Sequence, residues 1–393
     1  MAGLEIAVQP TVIDWILQHI RNERIDHSLI DRLQSWKNGT KKPTFNQLEE
    51  ASKKTHIPFG YFLLKKPPVE KISMVNYRTI DSISSHDPSR NLIDTIDQME
   101  TIQDWMNEYL QDEGADPLPF VGSVKKPYDV MEISFRIRHT LDIDSAWYSE
   151  MNTPQDAFKW WRHKLMMIGI MVFLSGTVGS NTHRKLDLQE FRGFALIDDY
   201  APLIFINSAD TYTGRLFSLI HENVHIWLGD NSLFNRLDWQ DGALRETEAI
   251  CNAVAAELLV PECEFIHLWD TSVDLHSRIE DLAKVFHCSK FVIARRALDL
   301  GTIQKDVYKK LTYNFYEEFL RLKREGKIKK SGGDYYATQK FKLDPRFVEA
   351  LNISVNDGRT QPTEAHRLTG MSHNTFAKLL RANCQAKCNT FEK

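Results

Sequence analysis

The chain has 393 residues, of which 42% are hydrophobic and 26% charged, and its formal net charge is −4. This composition is typical of folded globular proteins and excludes a disordered chain, while the length favours several domains over a single core. The longest apolar run, at 165–174, is about half as long as a membrane-spanning helix must be. Five cysteines without framework spacing predict a reducing environment. We therefore expect a cytoplasmic protein of several domains that does not enter a membrane.

Charge is distributed unevenly along the chain. Residues 305–393 contain 18 Lys and Arg against 10 Asp and Glu, and they follow an acidic body. A basic segment of this kind predicts either a polyanionic partner such as DNA or a solvated lysine-rich surface. Both interpretations stay open at this point.

In chain order, short helices are predicted within 10–65, and a proline-containing connector follows at 65–71. Helical spacing of apolar residues predicts further helices at 91–110, 127–140, 155–168, 212–228, 243–259 and 275–300. A last helical unit is predicted at 345–382, after a flexible joint at 327–334.

The strands are predicted in the middle of the chain. An apolar run at 170–174 predicts a buried strand, and two short runs at 193–197 and 203–206 flank the turn cluster D-D-Y-A-P. Strand-forming residues on both sides of a turn are typical of a hairpin. The fold class is therefore predicted to be α+β and mostly helical, with a small sheet.

The run His221-Glu222-Asn223-Val224-His225 fits the H-E-x-x-H pattern of metallopeptidases. Two histidines four residues apart lie on the same helix face, so both imidazoles can reach one metal ion. Glu222 points to the side, where it can take a proton from a water at the ion without being a ligand. The alternative is a helix that carries two ordinary histidines.

A catalytic zinc needs three protein ligands and one open position. The candidates for the third ligand on the helix at 243–259 are Glu246, Glu248 and Glu257. Glu248 shares a helical stripe with Cys251, Asn252 and Ala255, whose small or polar side chains allow close approach to the first helix. We therefore predict a Zn2+ site in which His221, His225 and Glu248 are ligands and Glu222 is the catalytic base.

The strand before the first motif helix is the predicted substrate contact. An extended peptide can be aligned along a strand by backbone hydrogen bonds. We expect Phe205, Ile206 and Asn207, at the end of the second hairpin strand, to bind the substrate in this way.

Three segments carry a family pattern: R-G-F-A-L-I-D-D-Y-A-P-L-I-F-I-N, R-L-F-S-L-I-H-E-N-V-H and E-A-I-C-N-A-V-A-A-E-L-L-V-P. They resemble the ImmA/IrrE family of metallopeptidases, in which a strand ending in Asn precedes R-x-x-F-[TS]-x-x-H-E-x-x-H and E-x-x-A-N-x-F-A-A-x-L-L-M-P. Glu248 occupies the glutamate ligand position of the last motif. Cys251 stands where alanine is usual, and Val254 stands where phenylalanine is usual. The resemblance implies a zincin-like peptidase domain at 146–304 and a regulatory protein, such as a transcriptional repressor, as the substrate.

The N-terminal residues 1–66 look like the XRE-type helix-turn-helix segment of longer family members, on the strings W-K-N-G-T-K-K-P-T and I-P-F-G-Y-F-L, followed by Y-R-T. The stretch before Trp36 is several residues short of a full module. DNA binding and a helical dimerisation or docking unit, which would allow a homodimer, are therefore both retained. Residues 67–145 are predicted to form a helical connector.

The C-terminal domain, 305–393, contains P-T-E-A-H-R-L-T-G-M-S-H-N-T-F-A-K-L-L, which resembles the tail of the same longer proteins. The string predicts a helix at 363–368, a turn at Gly370 and a second helix that Ser372 caps. The predicted DNA contacts are Ser372, His373, Asn374, Lys378 and Arg381. The alternative is a helical hairpin that packs on a partner protein.

The preferred function is a zinc-dependent endopeptidase that acts on a regulatory protein. The alternative is a DNA-binding regulator, or the antitoxin of a toxin–antitoxin pair, in which the peptidase-like domain serves as sensor or scaffold. Two weaker signals are a metal pair at Cys384 and Cys388 and an oxyanion-stabilising role for His267, His276 or His287.

Overall fold

The computed structural model of the chain describes residues 5–20, 25–68, 88–229, 232–234, 244–325, 342–371 and 375–376. The chain divides into two compact units, Met1–Thr95 and Ile96–Lys393. It is mostly helical with one small mixed sheet, which confirms the predicted α+β class. The predicted domain boundaries stay predictions.

Most of the α-helices lie close to the ranges that apolar spacing predicts, whereas those at 262–268 and 305–324 were not predicted. They are α1 (Pro10–His19), α2 (His27–Lys37), α3 (Phe45–Thr55), α4 (Arg90–Asp112), α5 (Val130–Leu141), α6 (Pro154–Met167), α7 (Tyr212–Leu228), α8 (Leu244–Leu259), α9 (Glu262–Leu268), α10 (Leu275–Val285), α11 (Lys290–Asp299), α12 (Lys305–Arg324), α13 (Pro345–Asn356) and α14 (Pro362–Thr369). Helix α9 follows Pro261 directly, because this proline ends α8 and also precedes the first turn of the next helix.

The first unit is a small helical body. Its helices α1, α2 and α3 and a 3-10 helix at Phe59–Leu63 share one buried apolar core. Thr44 and Gln47 form a capping box at the start of α3. Arg32 of α2 donates two hydrogen bonds to Glu50 of α3, at 2.9 and 3.1 Å, and so joins these helices across the surface.

The sheet of the second unit has four strands: β1 (Met171–Ser175), β2 (Gly193–Leu196), β3 (Leu203–Asn207) and β4 (Ser232–Phe234). Their order is β1-β3-β2-β4. β2 and β3 pair antiparallel as the predicted hairpin, β1 runs parallel to β3, and β4 runs antiparallel to β2. β3 is therefore paired on both sides, and all five of its residues are buried.

Polar side chains close the outer edge of β1. The Val172 N–H donates to the carboxylate of Asp344 at 3.0 Å, and the Val172 carbonyl accepts from Arg162 at 2.8 Å. Asp344 is fully buried and caps α13, whose Phe347 packs on Phe173 with 5.7 Å between ring centroids. The start of α13 thus packs directly on the sheet.

Within the part of the chain that the structure describes, none of the helices combines the length and the hydropathy that crossing a membrane requires.

Candidate metal centre

Both motif histidines belong to helix α7, and both are buried. Thr211 caps its N-terminus by accepting from the Gly214 N–H at 3.2 Å, and Gly229 ends it with a φ of +72°. Glycine is required there for a second reason, because a Cβ on Gly229 would lie 2.8 Å from the Cα of Gly122. The Gly122 N–H in turn donates to the Ile226 carbonyl at 2.9 Å. The loop around Gly122 therefore fixes the end of the motif helix.

Helix α8 brings Glu248 to the two histidines. One carboxylate oxygen lies 3.2 Å from Nε2 of His221, and the other lies 3.3 Å from Nε2 of His225. The two Nε2 atoms are 3.1 Å apart. These three side chains form one of the two clusters of metal-binding residue types among the described residues.

The spacing of the three side chains fits a tetrahedral ion. Zinc lies about 2.0–2.1 Å from its nitrogen and oxygen ligands, so ligand atoms of a tetrahedral site are about 3.3 Å apart. The separations of 3.1, 3.2 and 3.3 Å come close to that edge length. Two imidazoles and one carboxylate also form a donor set that zinc accepts, with a fourth position left for water.

Burial and hydrogen bonds both influence the protonation of the site. Both imidazoles are buried, and burial lowers the pKa of His221, which favours the neutral ring that a metal ion needs. Burial alone would raise the pKa of the Glu248 carboxyl, but its hydrogen bonds with His221 and His225 outweigh burial and hold that pKa below its usual range. Burial would also lower the pKa of His225, but Cys251 and Glu248 outweigh burial and raise that pKa well above its usual value. The site therefore presents a carboxylate between two imidazole rings whose pKa values are shifted in opposite directions.

Glu222 lies against the sheet and outside the ligand cluster. It is fully buried, and a Cβ on Gly193 of β2 would lie 3.4 Å from its Cγ. The same Cβ would lie 3.0 Å from the Phe205 carbonyl oxygen. Glycine at 193 therefore lets the sheet approach the glutamate closely, and Glu222 is not one of the three clustered ligand residues.

The other two candidates for the third ligand have different contacts. Glu246 is exposed and forms an ion pair with Lys126. Glu257 is buried, forms an ion pair with Arg296, and has a carboxylate oxygen 3.6 Å from Arg138. Two guanidinium groups thus explain the burial of Glu257, and Glu248 is the glutamate that the structure brings to the histidines.

The predicted substrate contact at β3 stays a prediction, but the structure leaves the strand no free edge. Phe205, Ile206 and Asn207 belong to a strand that pairs with β1 on one side and β2 on the other, so its backbone offers no free edge to a peptide. All three side chains are buried, and Asn207 uses its carboxamide to hold the Ala209 N–H and the Phe191 carbonyl. Local sequence predicted the strand but not its central position.

The three later histidines do not join the cluster. His287 hydrogen-bonds the Tyr148 carbonyl at 3.3 Å, and His267 is exposed. His276 belongs to a second group with Glu280 and Glu318. The Lys290 ammonium lies 2.8 Å from both of these carboxylates, so a protein cation already balances their charge.

Several predicted residues lie outside the described residues. They are the DNA contacts Ser372, His373, Asn374, Lys378 and Arg381 and the cysteine pair Cys384 and Cys388. The helix predicted before them is described as α14, and Gly370 ends it with a φ of +64°.

Two residues beside the site had no role in the sequence-based predictions. Gly193 faces Glu222, and Arg215 donates to the Asp210 carbonyl at 2.8 Å, which fixes the loop that leads into α7. Both residues occur in the quoted family-like segments, as R-G-F and R-L-F. Their place in these segments is the sequence feature from which a role could have been predicted.

The site lies in a segment that matches a known family model. Residues 168–298 match the peptidase M78 family model, described as the IrrE N-terminal-like domain. This segment contains both motif histidines, Glu222 and Glu248, and the match supports the resemblance to the ImmA/IrrE family. Residues 343–382 match a domain of unknown function, DUF8813. The comparison with curated proteins gave no match.

Proposed function

We propose that this chain is a zinc-dependent endopeptidase that cleaves a regulatory protein. The observation that carries the proposal is the convergence of His221, His225 and Glu248, within 3.1 to 3.3 Å of one another, beside a buried Glu222. A cluster that served only structure would not need a glutamate beside an open metal position. The peptidase M78 match supports the same class of chemistry.

In the proposed reaction three residues bind the metal and Glu222 transfers a proton. A zinc ion held by the three ligands would polarise the scissile carbonyl and lower the pKa of a water. Glu222 takes the proton of the attacking water and passes it to the leaving amine. Its carboxylate lies outside the ligand cluster, as this role requires.

Access to the site is from the side of Glu248. The side chain of Glu248 is 28% exposed, whereas those of His221 and His225 are at most 1% exposed. Because β3 is central, the peptide has to pair elsewhere. The outermost strand next to β2 is β4, and we propose that an extended substrate pairs along it.

The family resemblance favours a transcriptional repressor or a similar regulatory protein as the substrate. We keep a cytoplasmic setting in the proposal because the cysteines are few and lack framework spacing. DNA binding, a homodimer and the regulator or antitoxin alternative stay predictions. No contact of the described residues favours them over the peptidase.

The test compares cells that produce the wild-type chain with cells that produce Glu222→Gln. Labelling of new protein N-termini should reveal a small set of cleavage products that only the wild type generates. Chelation of zinc in lysate should abolish the same products. Identical N-termini in both cell types, under the conditions that activate the native system, would argue against the peptidase.

A further inference from the structure

Phe217 lies on the same stripe of α7 as the two histidines of the metal cluster. Phe217, His221 and His225 follow one another at four-residue steps, so they share one face of the helix. The Phe217 and His221 ring centroids are 6.2 Å apart, and the two ring planes are inclined by 30°. The stripe therefore continues from the cluster onto an aromatic ring.

The exposure of the side chains shows where this stripe reaches solvent. From Leu216 to Leu228 every residue of α7 is buried except Phe217, which is partly exposed. Glu248, whose carboxylate lies 3.2 Å from Nε2 of His221, is 28% exposed. Phe217 and Glu248 both adjoin His221 and both reach solvent, so they border the route by which a substrate would reach the metal.

The chemistry of this border differs on its two sides. Glu248 is a charged ligand residue, whereas Phe217 offers the apolar surface of a ring that also packs against the core of the second unit. A ring anchored in this way forms a fixed wall. An apolar wall favours an apolar side chain, because a polar one loses its water there without gaining a hydrogen bond.

We propose that Phe217 is a specificity-determining residue, whose ring forms the apolar wall of the subsite for a substrate side chain beside the scissile bond. The subsite favours aromatic and large aliphatic side chains. This inference rests on the proposed peptidase function, and it names the class of substrate residue that the site takes.

The test measures the binding of peptide hydroxamates, which ligate zinc, to the zinc-loaded full chain. The probes differ only in the side chain next to the hydroxamate, which is benzyl, isobutyl or the neutral, polar carboxamidomethyl group. The wild type should bind the two apolar probes about tenfold or more tightly than the polar probe. Phe217→Ala should reduce this preference by roughly two- to tenfold, the scale of one aromatic contact. Phe217→Leu should weaken binding of the benzyl probe more than that of the isobutyl probe.

Phe135 on α5 provides a matched control. It lies four residues before His139, the ring centroids are also 6.2 Å apart, and neither residue belongs to the metal cluster. Phe135→Ala should therefore leave all three affinities unchanged. Affinities are compared at equal zinc content, and Phe217→Leu decides the outcome if Phe217→Ala loses its zinc.

Two results would overturn the inference. One is a wild type that binds the apolar and polar probes equally well, and the other is a wild-type preference retained in both Phe217→Ala and Phe217→Leu. A wild-type chain that holds no zinc and binds none of the probes would instead overturn the proposed function.

Discussion

A carboxylate oxygen of Glu248 on α8 lies 3.2 Å from Nε2 of His221 on α7, and it joins the two helices where both present metal-binding side chains. The contact makes α8 as important to the site as the motif helix. It also identifies Glu248 as the third candidate ligand, whereas Glu246 forms an ion pair with Lys126 at the surface.

Removing the third ligand should release the metal. We expect about one zinc per wild-type chain, measured by elemental analysis after gel filtration, and a loss of most of it in Glu248→Ala. Glu246→Ala on the same helix is the matched control and should retain the zinc. Full zinc content in Glu248→Ala would show that another residue completes the site.

Gly193→Ala should impair catalysis without releasing the metal. The new Cβ would lie 3.0 Å from the Phe205 carbonyl oxygen and 3.4 Å from Glu222 Cγ, so the sheet and the glutamate would have to separate. We expect a cost of about 1–3 kcal/mol in the free energy of unfolding and a lower cleavage rate, with zinc content unchanged. Gly60→Ala, where a Cβ meets nothing within 4 Å, should leave cleavage unaffected. Unchanged cleavage in Gly193→Ala would show that the sheet does not position Glu222.

Asp344→Ala should destabilise the second unit. Asp344 is fully buried and accepts the N–H groups of Val172 and Phe347, so its loss leaves buried donors without an acceptor. An unsatisfied buried donor typically costs about 1–3 kcal/mol. Denaturant unfolding should show a loss of this order, while Asp357→Ala at an exposed position should change stability little. Equal stability of the two variants would contradict a role for Asp344 in closing the sheet.

The pKa of Glu50 should be measurably low. Its hydrogen bonds with Arg32, the larger influence, and with Lys54 lower this pKa to about 2. The folded value lies below the ordinary one, so the pair stabilises the first unit at pH values above about 4.5 and stops doing so as the pH falls through about 2. An NMR titration of the Glu50 carboxyl should show this midpoint, and Arg32→Ala should raise it more than Lys54→Ala. A wild-type midpoint near 4.5 would contradict the contact.

The parts of the site that depend on local order were predictable from the sequence. The H-E-x-x-H spacing and the stop at Gly229 define the motif helix, and the helical stripe through Cys251 and Asn252 favoured Glu248. The strands 193–196 and 203–207 were likewise predictable, because apolar runs flank a turn.

What depends on distant segments was not predictable. β3 is central because β1, more than twenty residues earlier in the chain, pairs with its other edge, and no local pattern specifies that pairing. The closure of β1 by Asp344 has the same origin, since the two segments meet only in the folded chain. Gly193 became interpretable only when its distance to Glu222 was known.

The most direct test of the account is the cleavage rate of Glu222→Gln relative to wild type, measured on one purified substrate at equal zinc occupancy. Glutamine has nearly the same shape as glutamate but cannot accept the proton of the attacking water. We expect Glu222→Gln to keep its zinc and its fold while the rate falls by a factor on the order of a hundred or more. A rate equal to that of the wild type would show that Glu222 is not the catalytic base and would contradict the account.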